Sequence, residues 1–142
     1  MRVNADQRRS GCPISCSLDL LGDKWSLLIV RDMVFGRKRY FKEFLASPEG
    51  IATNILTDRL KRLEDCGIIS KLLDPENKRQ IVYTLTEKGI ALIPVLVELL
   101  CWGATYDSAS NFDLDKVRQI QQDTRSRQRF LRELEKRCTS PS

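Results

Sequence analysis

The sequence predicts a mainly α-helical fold with one small β-hairpin, and three observations lead to that prediction. Apolar residues recur at helical spacing through most of the 142 residues. Only between residues 68 and 85 does the period fall to about two, the spacing of strands. Glycines such as Gly22, Gly36 and Gly67 end the helical segments. A chain of this length has room for one domain with a single core and an appended helix.

The first two predicted helices are short, and both end at a glycine. Cys12-Pro13 begins the first helix, because proline at the first helical position has no N–H to satisfy. Asp23 is expected to cap the second helix, which ends at Gly36. The residues expected on the two buried stripes are Ile14, Leu18, Leu21, Trp25, Leu28, Ile29 and Met33.

A short helix and a longer helix follow, separated by a turn at residues 48–50. The short one is predicted over residues 40–45, with Phe41, Phe44 and Leu45 turned inward. The longer one runs from Ala52 to Cys66, and Gly67 supplies its left-handed C-cap. This is the helix-turn-helix layout. The longer helix carries Leu56, Leu60 and Leu63 on one face and Thr53, Asn54, Thr57 and Lys61 on the other, with Asp58 and Arg62 on the flank.

The next segment is predicted to form a hairpin. Residues 68–73 and 80–85 are rich in β-formers, and the turn between them ends in Lys78 and Arg79. An isolated two-stranded ribbon is stable only when it packs on something else. The hairpin is therefore expected to pack on the helices, which makes the fold a winged helix-turn-helix.

A long helix is predicted from Glu87 to about Tyr106, with Thr86 as its cap and a modest bend at Pro94. It is apolar nearly all the way round, so most of its surface must be buried. One chain of this size has too little mass to cover it. We therefore expect a homodimer in which such long helices bury the remainder.

The rest of the chain is predicted to be one more helix at residues 113–138, after a polar break, with Ser110 or Asp113 as its cap. The expected organisation is a flexible basic arm at 1–11, the winged-helix and dimerisation domain at 12–107, the additional helix within 108–138 and a tail at 139–142. The last helix carries a weak heptad interrupted by Arg127, formed by Leu114, Val117, Ile120, Leu131 and Leu134.

Composition narrows the function. The net charge of +5 permits a nucleic-acid partner without demanding one. The sequence has no histidine, which removes serine and cysteine catalytic triads, and it has no glycine-rich phosphate loop. Its five cysteines form no C-x-x-C pair, so we expect no metal. Because these catalytic groups are missing, we also expect no cofactor and no enzymatic activity. Without a signal peptide or a sufficiently long apolar run, the protein is expected to be cytoplasmic, with no membrane association.

The sequence resembles the HxlR-type winged-helix regulators of bacteria and archaea. The motifs that carry the resemblance span residues 12–102 in the family's order and spacing. Tyr40 and Ala52 depart from it, since an Arg and a Ser are common there. The resemblance implies a dimer, formed through the N-terminal and long C-terminal helices, that binds operator DNA as a repressor or activator. The motifs are Cys12-Pro13, Leu21 to Trp25, Phe41 to Phe44, Ile55 to Glu64, Gly67 to Ile69, Val82 to Gly89 and Trp102.

The predicted site is a surface for double-stranded DNA. The first turns of a recognition helix read base edges in the major groove, which points to Thr53, Asn54 and Thr57. A wing contacts the minor groove or its phosphates, which points to Lys78 and Arg79. Two copies would read inverted half-sites about one helical turn apart. The remaining candidates are Asp58, Lys61 and Arg62 on the helix, and Arg37, Lys38, Arg39 and Lys42 on its approach, most of them as phosphate contacts.

Cys12 is a candidate redox switch. Its predicted place at a helix N-terminus, with Arg8 and Arg9 nearby in sequence, favours a thiolate. The family resemblance implies the same role, because some HxlR-type regulators sense oxidants or electrophiles with a cysteine here. Cys16 is a second candidate, although two cysteines four apart on one helix are poorly placed to bridge each other.

Other interpretations of the chain stay open. Cys12 is equally compatible with a small packing residue. A small-molecule effector is an alternative signal, in a pocket expected near Trp25 and Trp102. A winged helix that binds protein or RNA is an alternative function.

Overall fold

The structure, a computed structural model, describes residues 8–107 and 111–139. Residues 1–7 of the predicted arm at 1–11, the candidate cap Ser110, and residues 140–142 of the predicted tail at 139–142 lie outside the described residues. The fold class is confirmed, because the described chain is mostly helical with one two-stranded antiparallel hairpin. The elements are α1 (Pro13–Leu21), α2 (Ser26–Val34), α3 (Phe41–Leu45), α4 (Thr53–Asp65), β1 (Ile69–Leu73), β2 (Ile81–Leu85), α5 (Glu87–Ile90), α6 (Ile93–Tyr106), α7 (Leu114–Gln122) and α8 (Thr124–Thr139).

The core forms where α2, α4, α6 and the hairpin meet. The predicted apolar face of α4 is confirmed, since Leu56, Leu60 and Leu63 are all buried. The hairpin pairs Ile69 with Leu85, and this register turns Ile69 into the core. The aromatic ring of Phe44 on α3 is also fully buried. The helix-turn-helix and its wing are therefore one packed unit.

Two glycines fix the path from α4 into the wing and out of it. Gly67 follows α4 with φ of 75°, in the left-handed region that suits glycine. The Ile68 N–H then donates to the Leu63 carbonyl at 2.9 Å, which makes a Schellman cap. A Cβ atom on Gly89 would lie 2.2 Å from the Ile68 carbonyl oxygen, so any side chain there would separate α5 from β1.

The prediction of one continuous helix over residues 87–106 was wrong. The structure contains α5 and α6, with a tight turn at Ala91 and Leu92 between them. The physical reason is Pro94, which has no N–H to donate to the preceding turn and instead occupies the first turn of α6, where none is needed. The proline starts a helix here rather than bending one.

The prediction of a single helix at residues 113–138 was also wrong. Asp123 interrupts it, and its carboxylate accepts hydrogen bonds from the Arg125 N–H at 3.0 Å and the Ser126 hydroxyl at 2.6 Å. The resulting pair, α7 and α8, packs together and against α6, and α8 also contacts α2. Arg127, which the heptad pattern left unexplained, pairs with Glu98 on α6. Thr139, expected in the tail, is the last residue of α8.

The expectation that no segment is apolar enough to cross a membrane was too strict. Residues Glu87–Tyr106 have the length and composition of a membrane span. The core helix of a globular protein has the same composition, and here α6 buries Leu96, Val97 and Cys101 against the rest of the fold.

Two helices present apolar surface to solvent. Within the described chain α1 has no buried residue, and the predicted burial of Ile14 and Leu18 fails, since they are 72% and 55% exposed. On α6 the outward row recurs at i, i+4, i+7 and i+11, the spacing of one helix face. Its members are Val95, Leu99, Trp102 and Tyr106, all exposed.

Candidate nucleic-acid interface

The outer face of α4 is polar and open to solvent. Thr53 is its first residue, and Ala52 at the N-cap position has no side chain that can accept a hydrogen bond. The Thr57 hydroxyl donates to the Thr53 carbonyl at 2.9 Å, so this side chain presents its methyl group and oxygen lone pairs outward. The predicted base-reading and phosphate-binding residues on this helix are all exposed: Thr53, Asn54, Thr57, Asp58, Lys61 and Arg62.

An ion pair holds α4 against the start of α2. The Arg59 Nε lies 2.8 Å from the Asp23 carboxylate, which also accepts the N–H groups of Trp25 and Ser26 at 3.1 Å. Burial raises the pKa of Asp23, but hydrogen bonds from the Ser26 hydroxyl, Arg59 and the two N–H groups outweigh it and lower that pKa to about 2. Asp23 therefore accepts N–H groups at the start of α2, where Trp25 occupies the N-cap position, and also ties α4 to this helix terminus.

Asp58 carries a negative charge on the surface proposed for DNA, and the structure shows how that charge is offset. Its carboxylate accepts a hydrogen bond from Arg59, although its side chain stays 58% exposed. The pairing weakens the repulsion that a bare carboxylate would exert on a phosphate.

In the basic loop before α3 the cations have different roles. Lys38 Nζ donates to the Ser47 hydroxyl at 2.8 Å and lies 3.6 Å from the buried Asp32 carboxylate, so its charge is largely satisfied inside the protein. Arg37 is exposed and has φ of 53°, a strained conformation for a residue with a side chain. Arg39 is half-buried, and its carbonyl accepts the N–H of Tyr83 on β2 at 2.8 Å. Of the predicted phosphate contacts Arg37, Lys38, Arg39 and Lys42, Lys38 is thus the least available to DNA.

Tyr40 anchors the wing. Its hydroxyl donates to the Asp74 carboxylate, 2.9 Å away at the start of the wing turn. The Glu76 N–H and the Tyr40 hydroxyl together hold the pKa of Asp74 below its usual range, and the same bond raises the pKa of Tyr40. Arg is common at this position in the HxlR-type family. Tyr40 has no positive charge here, but its hydrogen bond to Asp74 orients the wing.

The wing turn itself is ordered by Asn77. Its side-chain oxygen accepts the Arg79 N–H at 3.2 Å and its carbonyl accepts the Gln80 N–H at 2.9 Å. Lys78 and Arg79 are exposed in this turn. A groove of about 510 Å³ between α3 and β2 is lined by both Lys42 and Arg79, so the structure brings one cation from α3 and one from the wing turn to the same surface.

The candidate cysteines lie at the start of the described chain. Cys12 is exposed and is the N-cap residue of α1, and the Cys16 thiol donates to the Ser10 carbonyl at 3.5 Å. Arg9 is 2.6 Å from Asp19, so its charge is offset by a carboxylate rather than kept for the thiol. Cys101 is buried, which raises the pKa of its thiol. Among the described residues no cluster of three or more metal-ligating side chains forms.

The sequence identified the exposed site residues but missed those that position them. Asp23 and Arg59 are 36 residues apart, and Tyr40 and Asp74 are 34 apart. A signal existed only for Asp23, as a helix cap. A single sequence contains no periodic pattern that pairs residues across such distances.

Comparison with known proteins yields one family and several solved relatives. The HxlR-like helix-turn-helix family matches residues 20–111, which leaves α7 and α8 outside the match. The chain is 39% identical over 92 residues to the HTH-type transcriptional regulator YodB of Bacillus subtilis, covering 64% of this chain and 81% of that protein. It is 34% identical over 96 residues to the uncharacterized regulator YdeP of the same bacterium, covering 68% and 74%.

Three solved structures share the fold. The putative transcription factor PA1607 has a TM-score of 0.67 at 38% identity, covering 76% of this chain and 74% of that one. The reduced form of YodB from B. subtilis has a TM-score of 0.57 at 31% identity, covering 72% and 100%. The redox regulator HypR in its oxidized form has a TM-score of 0.61 at 28% identity, covering 69% and 100%.

Proposed function

Because the chain belongs to the HxlR-like helix-turn-helix family of transcriptional regulators, we propose that it binds double-stranded operator DNA sequence-specifically as a homodimer. The observation that carries the proposal is the outer face of α4. Three leucines fix one face in the core, and the opposite face presents short polar side chains to solvent. A helix held in this way fits the major groove with its N-terminal residues on base edges.

Each part of the α4 surface has a proposed role. Asn54 pairs with an adenine edge, since its amide offers one donor and one acceptor side by side. Thr57 offers its methyl group to thymine, because its hydroxyl proton is bound to the Thr53 carbonyl. Lys61 and Arg62 lie farther along the helix and meet phosphates.

The wing and the loop before α3 supply the remaining contacts. Lys78 and Arg79 bind the minor groove or its phosphates, with the turn held by Tyr40 and Asp74. Lys42 and Arg79 share one groove and so grip neighbouring phosphates. Arg39 assists from the loop.

The homodimer is supported by the exposed apolar rows of α1 and α6. Burying one large apolar side chain contributes about 1.5–3 kcal/mol, so a surface that contains Trp102 and Leu99 gains several such contributions when two copies pair. A two-fold axis through this surface presents two α4 helices to inverted half-sites. The proposed dimer acts in the cytoplasm as a regulator with no catalytic activity of its own.

The direct test is a fluorescence titration of labelled duplex DNA at two salt concentrations. The proposal expects affinity that falls steeply with salt, because phosphate contacts release counterions. Selection from a random duplex pool should then give an inverted repeat. A protein-binding or RNA-binding module would instead show little salt-dependent affinity for duplex DNA, and that result would overturn the proposal.

A second candidate is a response to oxidants or electrophiles through Cys12. Two observations favour it: the thiol is exposed beside the proposed dimer surface, and two solved relatives are described in reduced or oxidized redox states. An electrophile that adds to the sulfur would form a carbon–sulfur bond, and the thiol proton would pass to the adduct. The change in DNA affinity on treatment with an oxidant or electrophile should persist in Cys101→Ser, because the Cys101 thiol is buried. The same change should disappear in Cys12→Ser. An unchanged response in Cys12→Ser would exclude this cysteine.

A further inference from the structure

The last turn of α8 packs against the basic loop before α3. A cavity of about 30 Å³ lies at this junction. It is lined both by residues of the loop and by Arg137 and Cys138 of α8, which are about a hundred residues away in sequence. Within the described residues the lining includes four cations and no carboxylate. The cations are Arg37, Lys38 and Arg39 from the loop and Arg137 from α8.

The four cations are one lysine and three arginines. Lys38 is held by Ser47 and Asp32, as described above. Burial and the Glu135 carboxylate raise the pKa of the nearby Cys138 thiol, and the charges of Arg39, Arg137 and Arg37 lower it in part. Three of the four cations that line the cavity are guanidinium groups. Like charges gathered in this way repel one another and favour an anionic partner.

The cavity is too small for an organic effector. About 30 Å³ holds one or two water molecules, whereas small-molecule pockets measure about 300–1,000 Å³. The guanidinium groups at its rim are thus suited to an anion on the surface of the protein rather than to an enclosed ligand.

The position of the cluster identifies the anion. The Arg39 carbonyl pairs with β2 of the wing, and the next residue, Tyr40, holds the wing turn. Lys42, the second residue of α3, shares a groove with Arg79 on the wing. The cluster thereby continues the surface already proposed to bind phosphates.

We propose that Arg137 joins Arg37 and Arg39 in binding DNA phosphates that flank the half-site, so that α7 and α8 extend the DNA contact beyond the family's helix-turn-helix. This inference rests on the proposed function. Arg37 keeps its strained backbone in this arrangement because the N–H of the next residue, Lys38, bonds to the Asp32 carbonyl at 3.0 Å.

The opposite side of α8 offers a matched control. Four cations recur there at i, i+4, i+7 and i+11, on the face turned away from the buried Leu134. Removing one of them changes the net charge by the same amount as removing Arg137, but at a distance from the loop. These cations are Arg125, Arg129, Arg132 and Lys136, all exposed.

The experiment compares Arg137→Gln with Arg132→Gln on a duplex that the unaltered protein has selected, with about ten flanking base pairs on each side. Each lost phosphate contact lowers the slope of log affinity against log salt by about 0.9, or about 1.8 for a dimer. Arg137→Gln should show this drop with unchanged base preference, whereas Arg132→Gln should not. On a duplex trimmed to the two half-sites the variants should behave alike.

Equal slopes for the two variants on the flanked duplex would overturn the inference, and so would a loss in Arg137→Gln that persists on the trimmed duplex. Arg137→Lys keeps the charge and should keep the slope, which separates a lost phosphate contact from a misfolded α8. If the unaltered protein shows no salt-dependent affinity for any duplex, the proposed function itself fails. If it binds and the two variants match, only the contribution of Arg137 fails.

Discussion

The Arg59 guanidinium on α4 lies 2.8 Å from the Asp23 carboxylate at the start of α2. This pair connects the helix proposed to read DNA with a helix of the core. The same carboxylate accepts the N–H groups of Trp25 and Ser26 at the start of α2. One side chain therefore stabilises a helix terminus and helps to set the orientation of α4.

This geometry predicts a loss of stability in acid. The folded state lowers the pKa of Asp23 from 3.8 to about 2, so its contribution is fully present above about pH 4 and disappears as pH falls toward 2. The contribution is about 1 kcal/mol after allowance for solvent at this partly exposed site. Urea unfolding should show Asp23→Asn less stable than the parent at pH 6 and nearly equal to it at pH 2. A difference that stays constant between the two pH values would contradict the assignment.

The bond between Tyr40 and Asp74 predicts coupled effects on DNA binding. Tyr40→Phe removes the hydroxyl that holds the wing turn, so affinity should fall several-fold while base preference stays the same. Asp74→Asn should have a similar effect, and the double variant should be no worse than either single one, because each change breaks the same contact. Isothermal titration with a selected duplex would measure all three. Additive losses would show that the two residues act separately.

Local sequence signals were enough to predict α1 to α4, the hairpin and the exposed face of α4. They failed to predict the two breaks where the backbone changes direction, before α6 and at Asp123. Leu56, Leu60 and Leu63 marked the buried face by spacing alone. The break before α6 was missed because Pro94 was interpreted as a bend within a helix, although proline is equally suited to a first turn. The break at Asp123 was missed because apolar residues continue the heptad across it, although Asp followed by Ser three residues later is a capping pattern.

The positioning contacts were beyond sequence reasoning for a different reason. Arg59 and Arg127 both lie on helices, and arginine side chains on helices are usually expected to be solvated. Their partners Asp23 and Glu98 are distant in sequence, and only the packing of α4 on α2 and of α8 on α6 brings them together. Tertiary geometry, rather than local pattern, determines these pairs.

Asn54 predicts a change in specificity rather than in general affinity. Replacing it by Ala should relax base preference at one position of each half-site and cost about 1–3 kcal/mol for the preferred base. Selection from a random duplex pool with both proteins would show the change. Lys78→Ala with Arg79→Ala is the contrasting variant, which should weaken all sequences about equally and flatten the salt dependence. If Asn54→Ala keeps the parental preference, the side chain does not read a base.

The exposed row on α6 predicts how the dimer can be broken. Trp102 is 67% exposed in the single chain, so Trp102→Glu should leave the fold intact while placing a charge in the apolar surface between two copies. Leu114→Glu is the matched control, since Leu114 is a 49% exposed apolar residue that lies on a different helix, α7. Light scattering at micromolar concentration should give a dimer for the parent and for Leu114→Glu, and a monomer for Trp102→Glu with an unchanged circular dichroism spectrum. A monomeric parent would remove the dimer from the proposal, and a dimeric Trp102→Glu would move the interface to another surface. Because two half-sites bind more tightly than one, the monomeric variant should also lose affinity for an inverted repeat and keep most of its affinity for a single half-site.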